Sequence, residues 1–309
     1  MTDPRRPRPR LRVIVDNDFS GDPDDLFQLV HHVLSPSVQI PLVIASHLSP
    51  GDPMDPGDRQ AQNAASIARD LLGRMSAGIP VVAGSDAALD APGSDSTAAV
   101  DAIVREALRD DTDLPLYYAA GGGLTDVAAA LRAAPHIADR LTLVWIGGHA
   151  YDDPAALTLP VEYNLAIDPV AAREVFASRI PFWQVPRDAY RQCLVSTAEL
   201  DARVRDGGEL GRHLSDAIDR VRDFHGHGSL DGETYCLGDN PLVLVTALQS
   251  FYGPDASSSG WQWRPAPAID ARGHYAGTCS DARRIRVMTR VDTRLMFEDF
   301  FHKLDVFTR

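Results

Sequence analysis

Leu11-Arg12-Val13-Ile14-Val15-Asp16-Asn17-Asp18-Phe19-Ser20-Gly21-Asp22-Pro23-Asp24-Asp25 is the stretch that decides the fold. An apolar run ends in five acids within ten residues. Leu26, Leu29, Val30, Val33 and Leu34 then recur at helical spacing until Ser35-Pro36 stops them. The pattern is strand, tight acidic loop, helix. In an open α/β sheet ligands bind outside the carboxyl ends of the strands, which is where these acids fall. Five carboxylates this close repel one another unless a cation sits among them. Aspartates around a Gly-permitted turn supply the oxygens a hard divalent ion takes, Ca²⁺ most naturally. Helix capping and the helix dipole account for Asp22, Asp24 and Asp25. They do not account for Asp16 and Asp18, which precede the turn, so the metal site is the preferred reading.

Outward from this stretch the same alternation continues. Ile40–Ser46, Ile79–Gly84, Leu114–Ala120 and Leu141–Ile146 read as strands. Arg59–Leu72, Ala98–Leu108 and Leu124–Ala134 read as the helices between them. Strands alternating with helices predict an α/β fold, an open and mostly parallel sheet with helices on both faces. Beyond Tyr151 the rhythm loosens. Asp168-Pro169 is a helix start, Ile180–Val185 a short strand, and Leu200–Phe224 a helix interrupted at Gly207-Gly208. Asn240-Pro241 opens a hydrophobic helix, and Arg284–Thr289 with Arg294–Leu304 reads as strand then helix. Trp183–Arg191 reads as a strand and a capped turn, with Arg187, Tyr190 and Arg191 as candidates for contacting a phosphate. No internal repeat or linker divides residues 11–309, which are expected to form one domain.

Composition narrows the function. The net charge of −13 argues against a nucleic-acid or anionic-membrane partner. Lys303 is the only lysine, so lysine-dependent chemistry is excluded elsewhere. Cys193, Cys236 and Cys279 form no C-x-x-C pair and suit a reducing, cytoplasmic location. Residues 1–10 are rich in Pro and Arg, lack an apolar segment, and read as a disordered tail rather than a signal peptide. No apolar run approaches membrane-spanning length.

Rival readings of the acidic loop are weaker. Asp16, Asp18, Ser20 and Gly21 match the first half of an EF-hand loop, but Phe27 stands where the bidentate Glu belongs, after a strand instead of a helix. An Asp-x-Asp phosphatase of the haloacid-dehalogenase type wants Thr or Val where Ser20 stands, and a basic residue, usually Lys, for which this chain offers only the remote Lys303 or an Arg in its stead. Gly121-Gly122-Gly123 lacks the G-x-G-x-x-G spacing, and Asp126 in the first turn would repel a phosphate.

As a whole the loop resembles that of the nucleoside hydrolases, Ca²⁺-dependent N-ribosyl hydrolases whose motif is Asp-x-Asp, a Gly-containing turn, then Asp-Asp. Five further stretches are similar to family motifs in the same order. They are Ile79–Gly84, Gly122-Gly123-Leu124-Thr125-Asp126, Trp145-Ile146-Gly147-Gly148, Glu162-Tyr163-Asn164 with Asp168-Pro169, and Leu237-Gly238-Asp239-Asn240-Pro241. The resemblance implies a divergent, nucleoside-hydrolase-like member. It implies Ca²⁺ held by Asp18, Asp25, the Gly121 carbonyl and Asp239. Asp24, Glu162, Asn164 and Asp239 would contact the sugar hydroxyls, and Asp18 would be the general base towards a Ca²⁺-bound water. The implied reaction is hydrolysis of a ribonucleoside or related N-riboside, with a small-molecule nucleoside as ligand and a homo-oligomer as the usual assembly. A metal-dependent ribose-binding module with little turnover is the alternative, and a phosphatase the second. Three departures stand out. Ser49 or Pro50 occupies the place of the family's sugar-binding Asn. Gly238 replaces its late His, with Asn240 inserted after Asp239. Asp22 is an additional acid. His47, His149, His225 and His227 lie near strand or loop ends and are the candidates for the missing acid.

Overall fold

The computed structural model describes residues 8–92, 94, 97–151, 160–225, 232–249, 258–278 and 283–309. Residues 1–7 of the tail, part of the 91–97 loop, His227 and Cys279 lie outside the described residues, as does the His225 side chain. The strands are β1 (Leu11–Asn17), β2 (Val38–Ala45), β3 (Val81–Ala83), β4 (Leu116–Ala120), β5 (Leu141–Ile146), β6 (Phe182–Val185), β7 (Leu194–Ser196), β8 (Thr234–Cys236), β9 (Gly260–Pro265), β10 (Pro267–Ile269), β11 (Tyr275–Thr278) and β12 (Arg284–Arg290). The main helices are α1 (Asp24–Val33), α2 (Gln60–Arg74), α3 (Ala98–Ala107) and α4 (Thr125–Ala133). They are followed by α5 (Tyr163–Ile167), α6 (Pro169–Ala177), α7 (Arg187–Tyr190), α8 (Thr197–Leu200), α9 (Gly208–His225), α10 (Pro241–Val243) and α11 (Thr293–Thr308).

Eight strands form one sheet in the order β3-β2-β1-β4-β5-β6-β12-β9. Every pairing is parallel except that of β9 with β12. All seven residues of β1 are buried, because a central parallel strand is covered on both faces. Its side chains alternate between two cores. Val13 and Val15 join one with α1, α2, α9 and α11, while Ile14 joins the other with α3, α4 and α6. The same division recurs at Tyr117 and Ala119 against Tyr118 and Ala120, and at Val144 against Trp145. The expected two-faced α/β sheet is therefore present.

From β1 the chain runs through β2 and β3 towards one edge, then returns to add β4 on the other side. The carboxyl ends of β1 and β4 thus flank the switch point of the sheet, the place where such folds open a crevice. The acidic loop leaves β1 there. Two smaller features match the chain's local chemistry. Pro169 starts α6 with Asp168 Oδ1 accepting from the Ala171 N–H at 2.9 Å. α9 begins at Gly208 with φ +66°, after the interruption at Gly207-Gly208.

Some expectations are corrected. β3 is only three residues long, whereas the turn expected after β6 is present as the helical turn Arg187–Tyr190. Sequence patterning missed β7, β8, β9, β10 and β11. They are three to six residues long and mostly half exposed, so they carry too little apolar periodicity to stand out. Among the described residues no helix is long and apolar enough to cross a membrane.

Candidate active site

Asp18, Asp24, Asp25, Gly121, Glu162, Asn164 and Asp239 all line one cavity of about 350 Å³ at the carboxyl ends of β1 and β4. The sequence stretches that converge there are as much as 221 residues apart, from Asp18 to Asp239. Carboxylate oxygens of Asp24, Asp25 and Asp239 lie within 4.8 Å of one another. Asp18 is not part of that trio but lines the same cavity.

The first loop presents its acids by a tight turn. The Gly21 N–H donates to the Asp18 carbonyl at 2.8 Å. α1 follows Pro23, which gives no side-chain cap, and Asp24 and Asp25 in its first turn line the cavity. Asp22 is occupied differently: it accepts from the Tyr235 hydroxyl at 2.7 Å. Asp22 still lines the cavity, whereas Asp16 does not: it is buried and accepts from the Tyr118 hydroxyl at 2.6 Å.

Asn17 connects the two distant halves. Its Nδ2 donates to Asp239 Oδ2 at 2.6 Å, fixing that carboxylate beside β1. Gly121 permits this approach, since a Cβ there would fall 2.0 Å from Asp239 Oδ2 and 2.3 Å from Asn17 Oδ1. Asn164 donates to the Ile146 carbonyl at 2.9 Å and also to the Gly121 carbonyl. Both its N–H donors are committed, so only its oxygen is left to receive a ligand hydroxyl. Glu162 accepts from the Gly148 N–H at 2.7 Å, the Tyr190 hydroxyl at 2.9 Å and the Leu165 N–H at 3.1 Å. Gly148 adopts φ +75°, and a Cβ there would meet Tyr275 Oη at 2.2 Å.

Burial and mutual repulsion dominate the electrostatics. Asp18 is 6 % exposed, Asp25 3 % and Asp239 4 %. Burial, then the charge of Asp239, pushes the Asp18 carboxyl up to about 8. Burial pushes Asp239 up to about 7, against the lowering effect of hydrogen bonds from Asp25 and Asn17. Asp24 and Asp25 are pushed well above the carboxylate range by burial and then by neighbouring aspartates. Asp25 Oδ2 is buried with no hydrogen-bond partner. An all-oxygen donor set, a partnerless carboxylate oxygen and a glycine that admits close approach together fit a hard divalent cation. The Asp24–Asp25–Asp239 cluster is consistent with a metal-binding site.

Of the histidine candidates, His47 and His149 do not line the cavity. His47 bonds the Leu48 carbonyl and the Thr125 hydroxyl, at 2.8 and 2.9 Å, and His149 donates to the Pro160 carbonyl at 2.9 Å. Among the described residues no histidine lines the cavity. Residues that sequence reasoning passed over include Asn17, Tyr118, Gly148, Tyr235 and Asp52, whose carboxylate accepts from the Tyr163 hydroxyl at 2.6 Å. Asn17 and Gly148 lie inside stretches already recognised as motifs. Tyr118 and Tyr235 carry no local signal.

Comparison with known proteins agrees with this geometry. The family model described as inosine-uridine preferring nucleoside hydrolase matches residues 13–298. A pyrimidine-specific ribonucleoside hydrolase of Shigella sonnei is 31% identical over 163 residues, which is 52% of this chain and 49% of that protein. The chain thus spans about half the length of such curated relatives. The purine-preferring ribonucleoside hydrolase of Gardnerella vaginalis superposes with a TM-score of 0.70 at 20% identity, covering 96% of this chain and 99% of the other. The inosine-uridine preferring nucleoside hydrolase of Bacillus anthracis gives 0.66 at 17% identity, with the same coverage of 96% and 99%. At these identities the structural likeness is one of fold.

Proposed function

The chain belongs to the inosine-uridine preferring nucleoside hydrolase family, and from that premise we propose that it hydrolyses the N-glycosidic bond of a ribonucleoside or close N-riboside. The observation that carries this reading is the buried Asp24–Asp25–Asp239 cluster beside Asp18, at the switch point of the sheet. Ca²⁺ is the proposed ion, held by Asp25, Asp239, Asp18 and the Gly121 carbonyl. When bound, it supplies a Lewis acid that lowers the pKa of water and neutralises the carboxylates.

The chain's own residues do the rest. Asp18 takes the proton of the attacking water on its carboxylate, as general base. Asp24 and Asp239 receive the sugar's hydroxyl protons as hydrogen bonds, and Asn164 receives one on its amide oxygen. Glu162, already bound by three donors, offers its remaining lone pairs. As the glycosidic bond lengthens, positive charge grows on the sugar, and this ring of carboxylates favours it. The departing base is served differently. Tyr163 and Tyr190 line the cavity, but burial and then the charges of Asp18 and Glu162 respectively push their phenols above the usual range. They are poor acids, so bases that leave readily as anions are the favoured substrates. Ribonucleosides incubated with and without chelator test the reading: base released only with calcium present supports it, and no release from any of them refutes it. A cytoplasmic location and a homo-oligomer belong to the same proposal, the first supported by the free thiols Cys193 and Cys236 and the second by the family's habit, testable by light scattering.

A further inference from the structure

Behind the carboxylate cluster, α1 carries two adjacent and fully buried histidines, His31 and His32. Neither reaches the cavity. His31 Nδ1 lies 3.1 Å from Asn240 Nδ2, and its Nε2 lies 2.8 Å from Asp299 Oδ2. An amide nitrogen can only donate and a carboxylate can only accept, so His31 is the neutral tautomer with its proton on Nε2. His32 repeats the arrangement. Its Nε2 lies 2.9 Å from the Thr246 hydroxyl, which itself donates to the Leu242 carbonyl at 2.7 Å, and its Nδ1 meets the Gln28 amide. Burial holds both imidazoles below their usual range, in keeping with two neutral rings. Lys303 stands on the far side of this network, paired with Asp299 and donating to Ser35 Oγ at 2.9 Å.

The two gripped residues, Asn240 and Thr246, belong to one short helical segment, α10 with its continuation Leu244–Leu248. Asp239 is the residue immediately before it. Asp24 and Asp25 open the helix whose later turns carry the histidines. The carboxylates that face each other across the cluster therefore stand on two segments joined by a two-point clamp. Like charges in the cluster drive those segments apart, and the clamp opposes that separation. Asn240 is also the residue that separates Asp239 from Pro241, where the motif it resembles has none.

We propose that His31 and His32 are positioning residues that hold the Asp239 segment against α1 and so set the spacing of the metal-binding carboxylates. The proposal rests on the cluster as a cation site and is independent of which bond the enzyme breaks. Calcium affinity of the full chain, measured by calorimetry, is the readout. His31→Phe keeps the ring packing against Phe300, whose centroid lies 5.3 Å from that of His31, but removes both hydrogen bonds. It is expected to weaken calcium binding roughly 10- to 100-fold, the usual effect of losing a group that orients metal ligands. His31→Gln retains one acceptor and one donor and is expected to recover much of the loss. Thr246→Val and Asn240→Ala test each grip separately and keep the question open to measurement should His31→Phe not fold.

A residue acting only on stability would lower the melting temperature and leave the affinity of the folded protein as it was. Folded His31→Phe or Asn240→Ala binding calcium as tightly as the parent overturns the clamp. A parent that binds no calcium overturns both this proposal and the metal site. A parent that binds calcium yet releases no base removes the hydrolase reading and leaves the clamp standing.

Discussion

Calcium binding should expel protons, and the structure sets the scale. At 4.8 Å, the outer limit of the oxygen separations among Asp24, Asp25 and Asp239, two full charges repel by about 3.5 kcal/mol at an effective dielectric constant near 20. Three such pairs are too costly to keep fully ionised, so the chelated protein carries protons on the cluster at neutral pH. The directions agree, with Asp24 and Asp25 pushed well up, Asp18 to about 8 and Asp239 to about 7. Binding at pH 7 is then expected to release on the order of two protons per ion, because only ionised carboxylates ligate. Calorimetry in buffers of different ionisation enthalpy reads that number as a slope.

Stability follows with a definite sign. Carboxyls whose pKa is raised by folding contribute fully below the unfolded value near 4, and that contribution is lost as pH rises through 7 to 8. The chelated protein should therefore melt at progressively lower temperature from about pH 4 to pH 8. Saturating calcium, at a hundred times its dissociation constant, returns about 2.7 kcal/mol. For 309 residues the unfolding entropy is about 0.65 kcal/mol/K, so the rise is about 4 °C. A calcium affinity that does not change between pH 6 and pH 8, with no buffer dependence of the heat, would refute the crowded-carboxylate argument.

Further outcomes follow from single contacts. Gly121→Ala places a Cβ 2.0 Å from Asp239 Oδ2 and should abolish calcium binding while the chain stays folded by circular dichroism. Asp18→Asn should cut kcat by about 10²- to 10⁴-fold with little change in substrate affinity, as expected for loss of a general base; full activity in this variant would reject the assignment. Tyr118→Phe leaves the buried Asp16 Oδ2 without its donor and should cost about 1–3 kcal/mol in urea denaturation, with unaltered calcium affinity. With no histidine and no acidic phenol at the cavity among the described residues, p-nitrophenyl riboside should be hydrolysed far faster than adenosine, and equal rates for the two would show an efficient acid.

Local chemistry made much of the fold legible. β1, β4 and β5 are apolar runs because both faces of a central parallel strand are covered, and that pattern is visible without any contact map. Asp168-Pro169 marked a helix start by its own chemistry. β7 to β11 were not legible, since short, half-exposed strands owe their pairing to neighbours distant in the chain.

Of the site, the sequence by itself determined the inventory: Asp18, Asp22, Asp24 and Asp25 of the first loop, with Gly121, Glu162, Asn164 and Asp239, all line one cavity. It also determined that the loop leaves the carboxyl end of a strand. Only the tertiary structure decided how the acids divide their work. Asp16 turns to Tyr118, Asp22 to Tyr235, and Asp24 joins Asp25 and Asp239 while Asp18 stands beside them. It alone set the links from Asn17 to Asp239 and from His31 to Asn240, each spanning more than two hundred residues. The reason is physical. Periodicity and turn chemistry act over a few residues, whereas the spacing of charges across a crevice is fixed by which distant segments the sheet packs together.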